Sequence, residues 1–125
     1  MKKLFFAVTL LLITYGAMAQ DVKVTRIARL TIDSLKIDEY RALLKEQMET
    51  AVKVEPGVIS YTVYADKAAA YKLTIVEVYA SNNAYLAHRE AAHFKKYKAA
   101  TGNMVKSLEL EEVTPVFTAK KDSGM

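Results

Sequence analysis

The segment between residues 55 and 97 constrains the fold of this chain most strongly. It opens with Glu-Pro-Gly at residues 55–57, continues with two runs of alternating residues, 58–65 and 71–79, and ends with apolar residues at helical spacing. Proline disfavours helical geometry at the residue before it, so a preceding helix must end here. The two runs and their short polar connection predict an antiparallel hairpin, followed by an amphipathic helix.

Further elements are predicted on both sides of this segment. Residues 22–32 alternate and are rich in β-branched types, which predicts a strand without showing which face is buried. A helix is predicted to begin between Leu35 and Asp38, because apolar residues then recur every three or four positions. Residues 107–117 predict a last strand. This order of elements is that of an α+β, ferredoxin-like βαββαβ fold with an antiparallel sheet.

Three small residues are expected to shape the connections. Gly57 is expected to give the backbone freedom for a sharp turn into the hairpin. Ser81 is a suitable N-cap for the helix that follows. Gly102 is expected to end that helical region as a left-handed cap.

Residues 1–19 have the layout of a secretory signal. Two lysines precede an apolar run at 4–15, and small residues at 17 and 19 predict cleavage after Ala19. A retained anchor is the alternative, but the run is shorter than the roughly 20 residues that span a bilayer. We therefore expect a domain at 20–117, a flexible polar tail at 118–125, and a secreted or periplasmic protein with no stable membrane association after cleavage.

The composition excludes several classes of function. The chain has no cysteine, which removes disulfides, thiol catalysis, iron–sulfur clusters and thiolate zinc sites. Without Lys2 and Lys3 it has 16 basic and 14 acidic residues, a formal charge of +2. These charges are interspersed along the sequence, so no nucleic-acid partner is expected.

Glu77 is the first candidate for chemistry. It shares one face of the second hairpin strand with Leu73, Ile75 and Tyr79, which places a carboxylate in an apolar row. Loss of water would raise its pKa and make it a better base near neutral pH. The alternative is an ion pair with a lysine or arginine at the strand edge.

The two histidines are the next candidates. His88 lies eleven residues after Glu77, on the helix expected to cover the same sheet, where it could relay a proton. The alternative is a core histidine bonded to a carbonyl group or a tyrosine. His93 lies about 140° around a continuous helix from His88, so the two could bind one ion only if the helix breaks. No metal site is predicted, and His93 is kept as a candidate substrate-binding residue.

Tyrosines complete the candidate site. Tyr61, Tyr64, Tyr79 and Tyr85 fall near one another in the predicted layout and could line a cavity for a planar aromatic molecule. Packing in the core is the alternative explanation.

The order and spacing of these residues resemble the antibiotic-biosynthesis monooxygenase family. The resemblance rests on the following residues: Glu55-Pro56-Gly57, Tyr61, Asp66, Glu77-x-Tyr79, His88, His93-Phe94 and Tyr97. It implies a homodimer that pairs through its sheets, with strand 107–117 in the contact. It also implies oxygenation of a small quinol or phenol by dioxygen without a cofactor, with Glu77 and His88 as catalytic residues.

Two departures from the family pattern limit this inference. Tyr79 stands where a tryptophan is common in the family. Haem-degrading relatives rely on a tryptophan and a haem-binding histidine, for which this chain has His88 and Lys98. A binding module without turnover and an isomerase are the alternative functions, since one fold hosts all three.

Overall fold

The computed structural model describes residues 22–123 as four strands and three helices. In chain order they are β1 (Val24–Ile32), α1 (Ile37–Val54), β2 (Val58–Ala65), β3 (Lys72–Tyr79), α2 (Asn82–Glu90), α3 (Ala92–Thr101) and β4 (Val105–Val113). The predicted signal at 1–19 lies outside these residues. Within 22–123, no helix is both long and apolar enough to cross a membrane.

The four strands form one antiparallel sheet in the order β2-β3-β1-β4. Helices and strands alternate as in a ferredoxin-like domain, which confirms the predicted fold class. The second helical region is divided in two, because Ala91 has extended backbone angles of φ −65° and ψ 140°. This break decides where the second histidine lies.

The strand register shows which sheet face carries the core. Ala28 of β1 lies opposite Ile75 of β3 and Leu110 of β4. Side chains alternate along a strand, so the even-numbered residues of β1 and the odd-numbered residues of β3 face the helices. Tyr40 and Leu44 of α1 pack on this face, and their burial joins helix and sheet in one core. The sequence alone had left the buried face of β1 undecided.

The last strand is shorter and earlier than predicted. It spans Val105–Val113 rather than 107–117, because Val105 pairs with Ile32 beyond an irregularity in the β1–β4 register. Pairing with β1 ends where Val113 meets Thr25. Pro115 follows two residues later and cannot donate a backbone hydrogen bond to a continuing ladder.

The glycines act differently from what was expected, whereas the predicted N-cap is confirmed. Ser81 Oγ accepts a hydrogen bond of 3.1 Å from the backbone N–H of Ala84. Gly102 has right-handed helical angles, φ −56° and ψ −35°, so the left-handed cap was wrong. Gly57 has no positive φ either. A Cβ there would lie 2.4 Å from Ala84 Cβ. Glycine is therefore needed at this turn because there is no room for a side chain, and not because of its backbone angles.

Candidate active site

A cavity of about 360 Å³ lies between the sheet and helices α2 and α3. Ala28, Ile75 and Glu77 form part of its floor, and His88 and Phe94 come down from the helices. The rim runs along β4, where the side chains of Leu108 and Leu110 are exposed. Arg26, Arg89 and Lys98 also line the cavity, so its apolar and aromatic side chains are joined by three cations and the Glu77 carboxylate.

Glu77 is the carboxylate of this cavity. It lies opposite Arg26 of β1 and Tyr61 of β2, and its Oε2 accepts a hydrogen bond of 3.2 Å from the Tyr79 hydroxyl. Burial raises the pKa of Glu77 to about 7, although the Tyr79 hydrogen bond and the Arg26 charge act in the opposite direction. Near neutral pH this group can therefore accept and return a proton.

Arg26 is the cation nearest in register to Glu77, but its close contacts lie elsewhere. Its guanidinium is 3.6 Å from a carboxylate oxygen of Glu112 and lies 4.3 Å from the centre of the Tyr85 ring. The charge of Arg26 lowers the pKa of Glu77, but burial raises that pKa by more. The apolar row predicted from the alternation of β3 accounts for Glu77 better than an ion pair at the strand edge.

His88 belongs to both the core and the cavity wall. Its side chain is 1% exposed, and its ring lies 4.8 Å from that of Phe94. Nδ1 is 2.8 Å from Glu55 Oε2, and Nε2 is 2.7 Å from the Tyr61 hydroxyl. Burial lowers the pKa of His88, although the hydrogen bond to Glu55 opposes this. Both roles considered for this residue are therefore compatible with its position.

Glu55 is the site residue that the sequence interpretation missed. Pro56 disfavours helical geometry at residue 55, and Glu55 has extended angles of φ −102° and ψ 106° at the end of α1. One oxygen, Oε2, accepts hydrogen bonds from His88 Nδ1 and, at 2.7 Å, from His93 Nε2. The break at Ala91 makes this possible by bringing both histidines to the same side. The available signal was the Glu-Pro-Gly motif itself.

Among the described residues, Glu55, His88 and His93 are also the group that could hold a metal ion. Their ligand atoms lie within 4.8 Å of one another, and two histidines with one carboxylate suit zinc or iron. In this structure, however, both ring nitrogens that face Glu55 donate to the same oxygen. The three side chains satisfy one another, and an ion would have to replace both hydrogens.

The predicted aromatic residues are divided among three places. Tyr79 and Tyr85 line the cavity, and Tyr61 lies behind Tyr79 and His88. Tyr64 is three residues from Tyr61 and therefore projects from the opposite sheet face, where it is 58% exposed. His93 lines a separate groove of about 260 Å³ between α1 and α3. The predicted places of Tyr61, Tyr64 and His93 in the cavity wall are therefore corrected, and Phe94 and Tyr97 are added to it.

These features define a class of protein. It is a small ferredoxin-like domain in which two helices close an aromatic cavity over the sheet, with one half-buried carboxylate among the lining residues. The chain belongs to the antibiotic biosynthesis monooxygenase family, whose sequence model matches residues 23–100. This confirms the family resemblance of the residues between 55 and 97. No curated protein matches the chain.

Solved structures share this fold. A provisionally named antibiotic biosynthesis monooxygenase from Bacteroides thetaiotaomicron VPI-5482 is 40% identical, with a TM-score of 0.75, over 79% of this chain and 94% of that chain. Rv0793 from Mycobacterium tuberculosis is 27% identical, with a TM-score of 0.70, over 79% and 100%. A provisionally named monooxygenase from Lactobacillus acidophilus NCFM is 27% identical, with a TM-score of 0.73, over 77% of this chain and 46% of that one. This chain therefore spans about half the length of the last protein.

Proposed function

We propose that the protein oxygenates a small quinol or phenol with dioxygen and without a cofactor. The observation that carries this proposal is the Glu77 carboxylate, whose pKa of about 7 places it between acid and base forms on the wall of an aromatic cavity. A general base matched to the working pH contributes roughly 100- to 10,000-fold in rate. Membership of a monooxygenase family supports the reaction type.

The chemistry needs only a base, a shaped cavity and exclusion of water. Glu77 takes a hydroxyl proton from the quinol, and the resulting anion passes one electron to dioxygen. The two radicals combine through a new carbon–oxygen bond. The ring carbon that received the oxygen then loses its hydrogen as the oxygen–oxygen bond breaks, and Glu77 returns the first proton to the departing oxygen, which gives a hydroxyquinone and one water. The substrate supplies all four electrons that reduce dioxygen, so quinol plus dioxygen balances against hydroxyquinone plus water.

The aromatic wall supports a planar substrate. The ring centroids of Tyr79 and Tyr85 are 5.3 Å apart, and Phe94 also lines the cavity. Flat rings stack or pack edge-to-face with a guest ring, which favours aromatic over aliphatic molecules. His88 lines the same cavity as Glu77, and its imidazole can pass a proton on.

Oxygen uptake by the purified protein tests the proposal. With a panel of quinols, we expect saturable uptake that falls by about 100-fold or more in Glu77→Gln, because the base is lost. Glu49→Gln is the matched control, since Glu49 is exposed on α1 and its ion-pair partner among residues 22–123 is Lys45. Equal rates in wild type and Glu77→Gln would refute the proposal. Quinol-dependent rises in melting temperature without oxygen uptake would instead show a binding module.

We also infer that two copies pair through the outer sheet face. Ile27, Val76 and Val78 lie on that face, and Val116 and Phe117 beyond β4 are 87% and 90% exposed. Apolar side chains that remain partly or largely in water favour a partner that covers them. Light scattering should give the mass of a dimer, and Val78→Glu should give a monomer. A monomer in the wild type would contradict the inference.

Export of the protein is likewise a proposal. It is supported by the basic start, the apolar run and the small residues before position 20. Sequencing of the mature N-terminus should begin at Gln20. A mature protein that begins at Met1 would contradict it.

A further inference from the structure

An unbroken chain of hydrogen bonds connects the cavity with the groove between α1 and α3. It starts at Glu77 Oε2, which is 3.2 Å from the Tyr79 hydroxyl, and the Tyr79 hydroxyl is 2.8 Å from that of Tyr61. The Tyr61 hydroxyl is 2.7 Å from His88 Nε2. His88 Nδ1 and His93 Nε2 then meet at Glu55 Oε2. Glu77 and Tyr79 are neighbours on one face of β3, whereas every later link joins side chains from different elements, so tertiary packing builds the rest of the path.

We infer that Glu77, Tyr79, Tyr61 and His88 form a proton-transfer path, which carries a proton from the cavity to Glu55 and His93 at the groove. The inference rests on the proposed function for the origin of that proton. The path itself is a property of the folded protein and can be measured without a substrate.

The number of hydrogens available in the path fixes the direction of each hydrogen bond. Each tyrosine has one hydroxyl hydrogen, so Tyr61 donates either to Tyr79 or to His88, and never to both. If Glu77 is ionised, Tyr79 donates to it and Tyr61 donates to Tyr79. His88 must then donate through Nε2 and carry a positive charge. If Glu77 is protonated, it donates to Tyr79 and every bond reverses, so His88 is neutral and accepts at Nε2.

The two arrangements therefore differ by one proton, which is either on Glu77 or on His88. Moving it breaks the Glu77 O–H bond, shifts one hydrogen across each tyrosine, and forms the His88 Nε2–H bond. Release at the groove then breaks the His88 Nδ1–H bond and forms a Glu55 O–H bond, which leaves His88 neutral. No bond in the path is left unsatisfied in either arrangement. If a second proton is added, one link of the path has two hydrogens. If the single proton is removed, one link has none. The geometry thus favours a single shared proton.

Burial sets the resting position of that proton. It raises the pKa of Glu77 and lowers that of His88, which together favour neutral Glu77 and neutral His88. Burial also raises the pKa of Tyr61 and Tyr79 far above the usual range, so both act as hydroxyls rather than as phenolates. The other charged or titratable groups around Glu77 are Arg26 from β1 and the Tyr40–Tyr97 pair from α1 and α3. Arg89 from α2 and Lys98 from α3 line the same cavity.

The outer end of the path reaches the surface. Glu55 and His93 have side chains that are 15% and 18% exposed, in contrast to His88. Gln47 lines the same groove, and its Nε2 is 3.4 Å from His88 Nε2. Its buried Oε1 has no hydrogen-bond partner among residues 22–123. A rotated Gln47 amide would present this oxygen to the N–H that forms when the proton reaches His88.

A double-mutant cycle read by NMR tests the path without turnover. The ¹⁵N titration of His88 is measured in wild type, Glu77→Gln, Tyr79→Phe and the double variant. We expect Glu77→Gln to shift the pKa of His88, and this shift to fall by about half or more when Tyr79 is phenylalanine. An equal shift in both backgrounds would show that only charge acts through space, and would overturn the inference.

Two further variants guard against misinterpretation of this cycle. Tyr61→Phe interrupts the next link and should give the same loss, even if Tyr79→Phe fails to fold. Tyr64→Phe removes a hydroxyl from the outer sheet face and should leave the shift unchanged. A cycle in which Tyr64→Phe has the same effect as Tyr61→Phe would also overturn the inference.

A second arm uses catalysis. If the protein consumes oxygen with a quinol, Tyr61→Phe should lower kcat roughly 10-fold at unchanged KM, less than loss of the base itself. Added imidazole should restore the rate by accepting the proton, whereas it should not restore Glu77→Gln. An unrestored Tyr61→Phe would count against the path. If no quinol is consumed, the proposed function fails, and the NMR cycle still decides the path.

Discussion

Glu55 holds His88 through a hydrogen bond of 2.8 Å between the carboxylate Oε2 and the ring Nδ1. Because Nδ1 carries the hydrogen in this bond, Nε2 of the neutral ring is an acceptor and faces Tyr61. The end of α1 therefore fixes the tautomer of a residue on α2. Pro56 contributes directly, since it favours the extended backbone that directs Glu55 away from the helix.

Glu55→Gln should destabilise the protein by about 1.5–3 kcal/mol at pH 7, the usual range for hydrogen bonds to a charged group. The amide keeps the size of the side chain but removes the charge shared by His88 and His93. Urea unfolding measures the loss. Glu49→Gln, at an exposed pair, should change stability by less than about 1 kcal/mol. Equal effects of the two variants would contradict the role of Glu55.

Gly57→Ala should destabilise by about 1–3 kcal/mol, because the new Cβ would lie 2.4 Å from Ala84 Cβ and the turn must shift. Gly102→Ala is the matched control. Its backbone is right-handed, and a Cβ there would meet Lys98 O at 3.4 Å, so we expect little loss or a gain of about 0.4–1 kcal/mol. Thermal unfolding compares the two. A larger loss for Gly102→Ala would show that the turn is not limited by space.

The sequence was sufficient for most of the fold and for the floor of the site. Alternation along β3 identified Glu77 in an apolar row, because strand periodicity is a local property. Glu55 was missed because its partners lie 33 and 38 residues further along the chain. The break at Ala91 that aligns them involves no glycine or proline, so local signals gave no warning of it. Tyr64 was misplaced although the alternation of β2 already set it opposite to Tyr61.

The pH profile of kcat/KM should report the ionisation of Glu77. The proposed base works as the carboxylate, so we expect activity to rise with pH and to level off above about 7. Tyr79→Phe should move the inflection upward, because the Tyr79 hydroxyl stabilises the carboxylate. Oxygen uptake across the pH range measures both. An unchanged inflection in Tyr79→Phe would mean that another group sets the profile.

The contribution of Glu77 to stability should fall as the pH rises, in the direction opposite to activity. The folded protein raises the pKa of Glu77 from 4.5 to about 7, so it binds a proton that the unfolded chain has already lost between these values. Stability from this group is therefore full below about 4.5, falls as the pH rises towards 7, and is then constant. At roughly 1.4 kcal/mol per pH unit, the loss is on the order of 3 kcal/mol.

His88 works against this trend, since its lowered pKa makes stability rise with pH up to about 6.5. Comparison of wild type with Glu77→Gln isolates the carboxylate, because both proteins retain His88. Between pH 5 and pH 8 the wild type should lose stability through Glu77, whereas Glu77→Gln should not. The free energy of unfolding of Glu77→Gln, measured in urea relative to that of the wild type, should therefore be higher at pH 8 than at pH 5. If the difference between the two proteins is the same at both pH values, Glu77 ionises with an ordinary pKa. Burial in the cavity would then not be what makes it a base.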